Sequence, residues 1–136
     1  MNNYIFDASI VINSLTSPDK KFYREIKKIL KRAKQNKDSI WAPDIFLYEV
    51  ANGLRFAGLP EEKLIKFWRK FSRLPIQYFN LGPEKFSMIL KMANRFNNTV
   101  YDSSYHYLAI LLEGVFYTKD RQYYKRVKEL GSIKLF

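Results

Sequence analysis

The chain has 136 residues, enough for one domain with one substantial core, and 47% of them are apolar and 17% aromatic, which excludes a disordered tail. It has no cysteine and one histidine, His106, so disulfides, thiolate zinc sites and imidazole-rich zinc sites are excluded and a histidine-based triad is disfavoured. The formal net charge of +11 favours a polyanionic partner: RNA, DNA or an acidic protein.

The first residues, "MNNYIFDASI", carry no basic leader followed by a long apolar region, so no secretory signal is expected. The longest clean apolar run, "YLAILL", is too short for a membrane span. A cytoplasmic location without membrane association is the expectation. One domain over residues 1–136 is expected, since no repeat or long linker interrupts the chain.

"NYIF" predicts a short buried strand before Asp7, and "ASIVINSL" a short helix. "DKKFYREIKKILKRAKQNK" predicts an amphipathic helix with Phe22, Ile26, Ile29, Leu30 and Ala33 on one stripe. Its other face is basic, with nine Lys or Arg from Lys20 to Lys37. "SIWA" is a second strand, ended by Pro43. "DIFLYEVANGLRFAG" is a helix, with Asp44 as its expected N-cap and Gly58 as its stop. "PEEKLIKFWRKFSR" has Pro60 and two acids at its start and bases at its end, as the helix dipole prefers. "LPIQYFNL" is a third strand and "GPEKFSMILKMANRF" a helix. A helix from about Tyr101, the strand "VFYT", the helix "RQYYKRVKEL" and the strand "IKLF" complete the chain.

Strands alternating with helices predict an α/β fold. The expectation is a three-layer α/β/α sandwich around a central, mainly parallel sheet of about five strands. Ligands of such sheets bind beyond the carboxyl ends of the strands. Among the thirteen acids, Asp19, Glu25, Asp38, Glu61, Glu62, Glu84 and Glu129 need only solvated roles, and Glu113 is expected to be exposed. Asp7 and Asp120 follow strands, at the carboxyl edge. Asp102 begins a helix. Each of the three, taken singly, is explained as an N-cap. Glu49 is not, because it lies inside a helix; alone it reads as a surface residue or the partner of a base such as Arg55. Asn52 lies three residues further on, on the same face. Clustered carboxylates raise one another's pKa, and a divalent cation would neutralise them. Oxygen donors without Cys or a second His suit Mg²⁺ or Mn²⁺.

At these residues the sequence resembles the PIN-domain nucleases, most closely the VapC-like ribonuclease toxins of prokaryotic toxin–antitoxin pairs. The matching segments are "YIFDASIVIN" (Asp7, Ser9), "APDIFLYEVANGL" (Glu49, Asn52), "VYDSSYHYLAIL" (Asp102) and "FYTKDRQYYKRV" (Thr118, Asp120). Each is common by chance; their order, spacing and strand context make the match specific, from Tyr4 to Phe136. The resemblance implies a Mg²⁺- or Mn²⁺-dependent endoribonuclease. Its catalytic and metal-binding residues would be Asp7, Glu49, Asp102 and Asp120, supported by Ser9, Asn52 and Thr118. It also implies RNA as substrate, a cognate antitoxin as partner and a homodimer. The chain departs from the family pattern in Ser103, Ser104 and His106. The last is expected to be a surface or packing residue whose spacing lets it bond Asp102.

Tyr101 and Tyr105 are expected to pack, and at least one of Tyr123 and Tyr124 to be core. Phe56, Phe67, Trp68 and Phe71 form a candidate partner surface, with core as the ordinary fate of most. Three alternatives stand beside this reading. A receiver-like phosphoacceptor would need an aspartate ending a middle strand, where this chain has Asn80, Leu81 and Gly82 after "LPIQYF". The others are an RNA-processing PIN nuclease without an antitoxin, and an inactive PIN module that binds RNA or protein.

Overall fold

The structure, a computed structural model, describes residues 1–16 and 20–136. The five strands among them are β1 (Asn3–Phe6), β2 (Ser39–Pro43), β3 (Ile76–Phe79), β4 (Val115–Thr118) and β5 (Ile133–Leu135). The helices are α1 (Ala8–Thr16), α2 (Lys20–Lys34), α3 (Ile45–Arg55), α4 (Glu61–Ser72), α5 (Pro83–Arg95), α6 (Val100–Leu111) and α7 (Arg121–Val127), the last prolonged by a 3-10 turn. The expected α/β pattern is therefore the observed one. Asp19 and the Phe22 side chain lie outside the described residues.

All five strands pair in parallel, in the order β3-β2-β1-β4-β5. Neighbouring side chains on a strand point to opposite faces. Ile5 and Phe6 on β1, and Phe116 and Tyr117 on β4, are all buried, so the middle of the sheet is covered on both sides. Phe116 stacks on Tyr105 of α6, with ring centroids 5.8 Å apart. Tyr117 packs on the other face against Phe6 and Phe136. This two-sided burial is why the strands read as short apolar runs rather than alternating ones.

The chain runs outward from β1 through β2 to β3, then returns to place β4 on the other side of β1. The order reverses between β1 and β4, which makes their carboxyl ends the crevice where such sheets hold ligands. One close approach shapes that end. A Cβ on Gly53 would stand 2.2 Å from the Ile12 side chain, so glycine lets α3 lie tight against α1 and brings α3 towards the end of β1.

Several residues differ from expectation. Asp44 begins the first turn of α3 with helical backbone, and its side chain makes no capping bond. Gly58 does adopt the left-handed conformation of a helix stop, φ 72°. Asp38 is not a solvated acid. It is buried, takes the Arg32 guanidinium, and accepts from the Asn2 backbone N–H at 3.1 Å. The Arg32 hydrogen bond holds its carboxyl below the usual range. The turn after α2 carries it in front of β2, where only a paired carboxylate is tolerated. Phe71 is core, Phe67 and Trp68 are partly buried against it, and Phe56 is 73% exposed. No helix among the described residues is long and apolar enough to cross a membrane.

Candidate active site

Asp7 follows β1 directly. Its backbone N–H still donates to Tyr117 O of β4 at 3.3 Å, fixing it at the crevice. Its Oδ1 accepts from the Ser9 backbone N–H at 3.0 Å, so it also caps α1. Asp120 follows β4 by one residue. The buried Thr118 hydroxyl accepts from the Asp120 N–H at 3.0 Å, and Asp120 Oδ1 accepts from Tyr123 N–H at 3.0 Å, capping α7.

Asp102 is not the cap of α6. Thr99 is: its hydroxyl accepts from the Asp102 N–H at 3.1 Å, which places Asp102 at the third helical position. The Thr-x-x-Asp spacing signals this start, since a Thr cap paired with an acid three residues later is a recurrent motif. Near a helix N-terminus a carboxylate is favoured by the exposed N–H groups. Glu49 reaches the site from the middle of α3. The Tyr105 hydroxyl donates to its Oε1 at 2.9 Å across 56 residues of sequence.

The structure brings these four acids into one electrostatic neighbourhood. Burial pushes the Asp7 carboxyl up, hydrogen bonds from Ser9 partly offset this, and Asp120 pushes it up again. Burial raises Glu49 as well; the Tyr105 bond pulls it down, and Asp7 and Asp102 push it up. Burial raises Asp102, followed by repulsion from Asp7, against a hydrogen bond from Thr99, with Asp120 adding a further push. No cation figures among these influences. Among the described residues, ion pairs join Arg32 to Asp38 and Lys134 to Glu25, and neither reaches the four acids. The expectation that Glu49 pairs with a base is thus replaced by a tyrosine hydroxyl.

Among the described residues no three acids converge tightly enough to form a closed ligand set by themselves. An all-protein cage is thereby excluded among the described residues, so a cation here would have to keep several waters and take one or two carboxylates directly, as Mg²⁺ does. The donor chemistry, carboxylate and hydroxyl oxygen only, fits the same ion.

Of the supporting residues, Ser9 donates its backbone N–H to Asp7, and its side chain acts to lower the Asp7 pKa against burial. Thr118 acts on the Asp120 backbone rather than on a carboxylate. Asn52 is exposed one turn beyond Glu49 and lines the groove beside it. Among the described residues it makes no hydrogen bond to an acid.

Tyr105, Tyr123 and His106 emerge only in three dimensions. Tyr105 packs as expected, yet also holds Glu49. His106 lies one turn beyond Asp102 but points away from it. It is fully buried, with Nε2 2.8 Å from Gly131 O and Nδ1 3.0 Å from the Tyr123 hydroxyl. A carbonyl only accepts, so Nε2 carries the proton and Tyr123 donates to Nδ1. This ties α6, which carries Asp102, to α7, which Asp120 caps. Burial pushes the His106 pKa down and keeps the ring neutral.

A twisted parallel sheet with an acid-lined crevice at its reversal point defines a class of α/β domain with a ligand-binding carboxyl edge. The sequence matches the PIN domain family over residues 4–130, and the chain belongs to that family. No curated protein matches significantly. Solved structures with a similar fold include VapBC2 from Rickettsia felis bound to a promoter DNA fragment, at 13% identity and TM-score 0.69, covering 98% of this chain and 97% of that one. PAE2754 from Pyrobaculum aerophilum is 20% identical, with TM-score 0.64 and coverage of 98% and 89%. A toxin–antitoxin complex from Klebsiella pneumoniae is 14% identical, with TM-score 0.67 and coverage of 96% and 95%.

Proposed function

We propose that this protein is a Mg²⁺- or Mn²⁺-dependent endoribonuclease that hydrolyses RNA phosphodiester bonds. The observation that carries the reading is the cluster itself. Asp7, Glu49 and Asp102 are raised by burial and by repulsion from acids of the same set, Asp120 included, at the sheet's reversal point, and no cation figures among those influences in a chain with 24 Lys and Arg. A purely structural site could have placed one of those bases there.

Asp7, Asp102 and Asp120 are the proposed metal ligands, one or two of them directly and the rest through metal-bound water, with Glu49 a further ligand or the base that orients water. When bound, such an ion lowers the pKa of water and offsets charge on the phosphoryl oxygens. The chain's own residues do the rest. The caps at Asp7 and Asp120 fix both carboxylates before substrate arrives, and Tyr105 holds Glu49 in one orientation. Burial raises the Glu49 pKa, which makes it a stronger base than a solvated glutamate. Ser9, Asn52 and Thr118 are proposed to orient the acids and bound water. A basic groove of about 780 Å³, with Lys27, Lys31, Lys34 and Lys70 on its walls, supplies a surface for RNA phosphates.

The toxin role is proposed from the folds compared above: one belongs to a toxin–antitoxin complex and another to VapBC2. A cognate antitoxin, a homodimer and a cytoplasmic location follow as parts of the same proposal. The test is cleavage of mixed RNAs with Mn²⁺ and with EDTA, using the parent and Asp7→Asn. The parent should cut only with metal, and Asp7→Asn should remain folded and lose at least about a hundredfold in rate. Equal cutting by both proteins would refute the site, and cutting in EDTA would refute the metal.

A further inference from the structure

Beside the acids lies an open groove of about 720 Å³. One wall is a single stripe of α3: Ile45, Tyr48, Glu49, Asn52 and Arg55. The other is Tyr101, in the first turn of α6. Glu49 belongs both to this groove and to the acid cluster, so the two are continuous.

The tyrosines stand out. Tyr48 is 74% exposed and Tyr101 56%, whereas Tyr105, Tyr117 and Tyr123 are buried. Tyr101 was expected to pack; instead the helix start at Val100 turns it outwards, next to Asp102. Tyr48 is next to Glu49. Each proposed catalytic acid from a helix therefore has an exposed aromatic ring as its immediate neighbour, and Arg55 supplies a cation on the same stripe.

We propose that this groove is a subsite for unpaired nucleotides next to the cleaved phosphodiester. The rings of Tyr48 and Tyr101 stack on bases, and Arg55 meets a backbone phosphate. This rests on the ribonuclease reading and adds to it the side chains that hold the bases beside the acids. A duplex hides its base faces within its own stack and offers these rings nothing to cover. Stacking also tolerates any base, since each has a π-face. The charge argues the same way. A second copy would bring another chain of net charge +11 against Arg55, while a nucleic-acid strand brings the opposite sign.

The test is binding without turnover. A short fluorescein-labelled single-stranded RNA is titrated with the protein in EDTA and followed by anisotropy. Tyr48→Ala and Tyr101→Ala should each weaken binding about 5- to 150-fold, the range for one lost base stack. Tyr48→Phe and Tyr101→Phe should bind like the parent, because the ring stacks and the hydroxyl does not. An abasic strand of equal length should bind weakly, and equally to parent and alanine variants. Parent-like binding of the single strand by both alanine variants overturns the proposal. So does dissociation of a dimer by Tyr48→Ala at unchanged RNA affinity, which would assign the ring to a contact between copies. Tyrosine-dependent binding by a parent that fails to cut RNA in Mn²⁺ supports the subsite and refutes the nuclease reading instead.

Discussion

Tyr105→Phe isolates the one contact that fixes Glu49. The substitution removes only the hydroxyl, which donates to Glu49 Oε1 at 2.9 Å. The ring stays, stacked on Phe116 at 5.8 Å and edge-on to Phe46 at 6.1 Å, so the core keeps its packing. A hydrogen bond to a charged group contributes about 1.5–3 kcal/mol net. Glu49 is half-exposed, so water can take the vacated place and the lower end applies. That corresponds to a loss of about tenfold in kcat/KM for Mn²⁺-dependent RNA cleavage. A second readout separates positioning from packing. The Tyr105 bond pulls the Glu49 pKa down against burial and its acidic neighbours. Without it, the Glu49 carboxyl, followed by ¹³C NMR in metal-free protein, should titrate at higher pH than in the parent. Tyr105 itself remains a donor throughout, because burial pushes its own pKa far above the working range. Parent-like kcat/KM together with an unmoved Glu49 titration would sink the argument and leave Tyr105 as a packing residue.

The other predictions concern stability. Asp7, Glu49 and Asp102 all have raised carboxyl pKa values in the folded chain. Between the unfolded values of about 3.9–4.3 and the raised ones, the native state holds more protons, so stability falls as pH rises through that window. Metal-free Asp7→Asn, which keeps an N-cap side chain, should therefore melt a few degrees above the parent at neutral pH. The gap should close near about pH 4, where the parent's carboxyl is protonated too; a lower melting point for the variant at neutral pH contradicts this. His106 runs the other way. Its pKa is lowered by burial, so the unfolded chain takes the proton first, and this contribution is lost as pH falls below about 6.5. Urea midpoints between about pH 7.5 and 5.5 should drop more for the parent than for His106→Gln. That variant should cost about 2–3 kcal/mol at the higher pH through its broken contacts with Tyr123 and Gly131. Parallel pH profiles would show that His106 does not titrate across unfolding.

The elements were legible because each carries a local signal. Apolar runs of four or five residues mark the strands, and the stripe of Ile26, Ile29 and Ala33 marks α2, where all three are indeed buried. The acids at strand ends were legible through topology, since a residue just after a parallel strand must lie at the ligand-binding edge. Contacts between distant segments were not. Nothing local to Asp38 distinguishes it from a loop acid, and its burial follows from where the turn after α2 meets β2. Tyr105 looks like any core aromatic, because the Glu49 carboxylate it holds comes from another helix. The expected helix start at about Tyr101 falls one residue after the observed one at Val100, and with Thr99 as the cap the Tyr101 ring is exposed rather than packed.

The same arrangement explains how a small chain tolerates a cluster of mutually repelling carboxylates. The repulsion is set against caps and packing that do not depend on charge neutrality. Asp7 and Asp120 each satisfy a helix N-terminus, and Asp102 lies within the favourable field of another. Beneath them, Tyr105 on Phe116 and His106 against Tyr123 form a buried aromatic floor. The acids gain little by moving apart, because each would give up a cap or a hydrogen bond to do so. A cation arriving at this edge meets carboxylates already held by the fold, and its binding energy goes into affinity rather than into assembling the site.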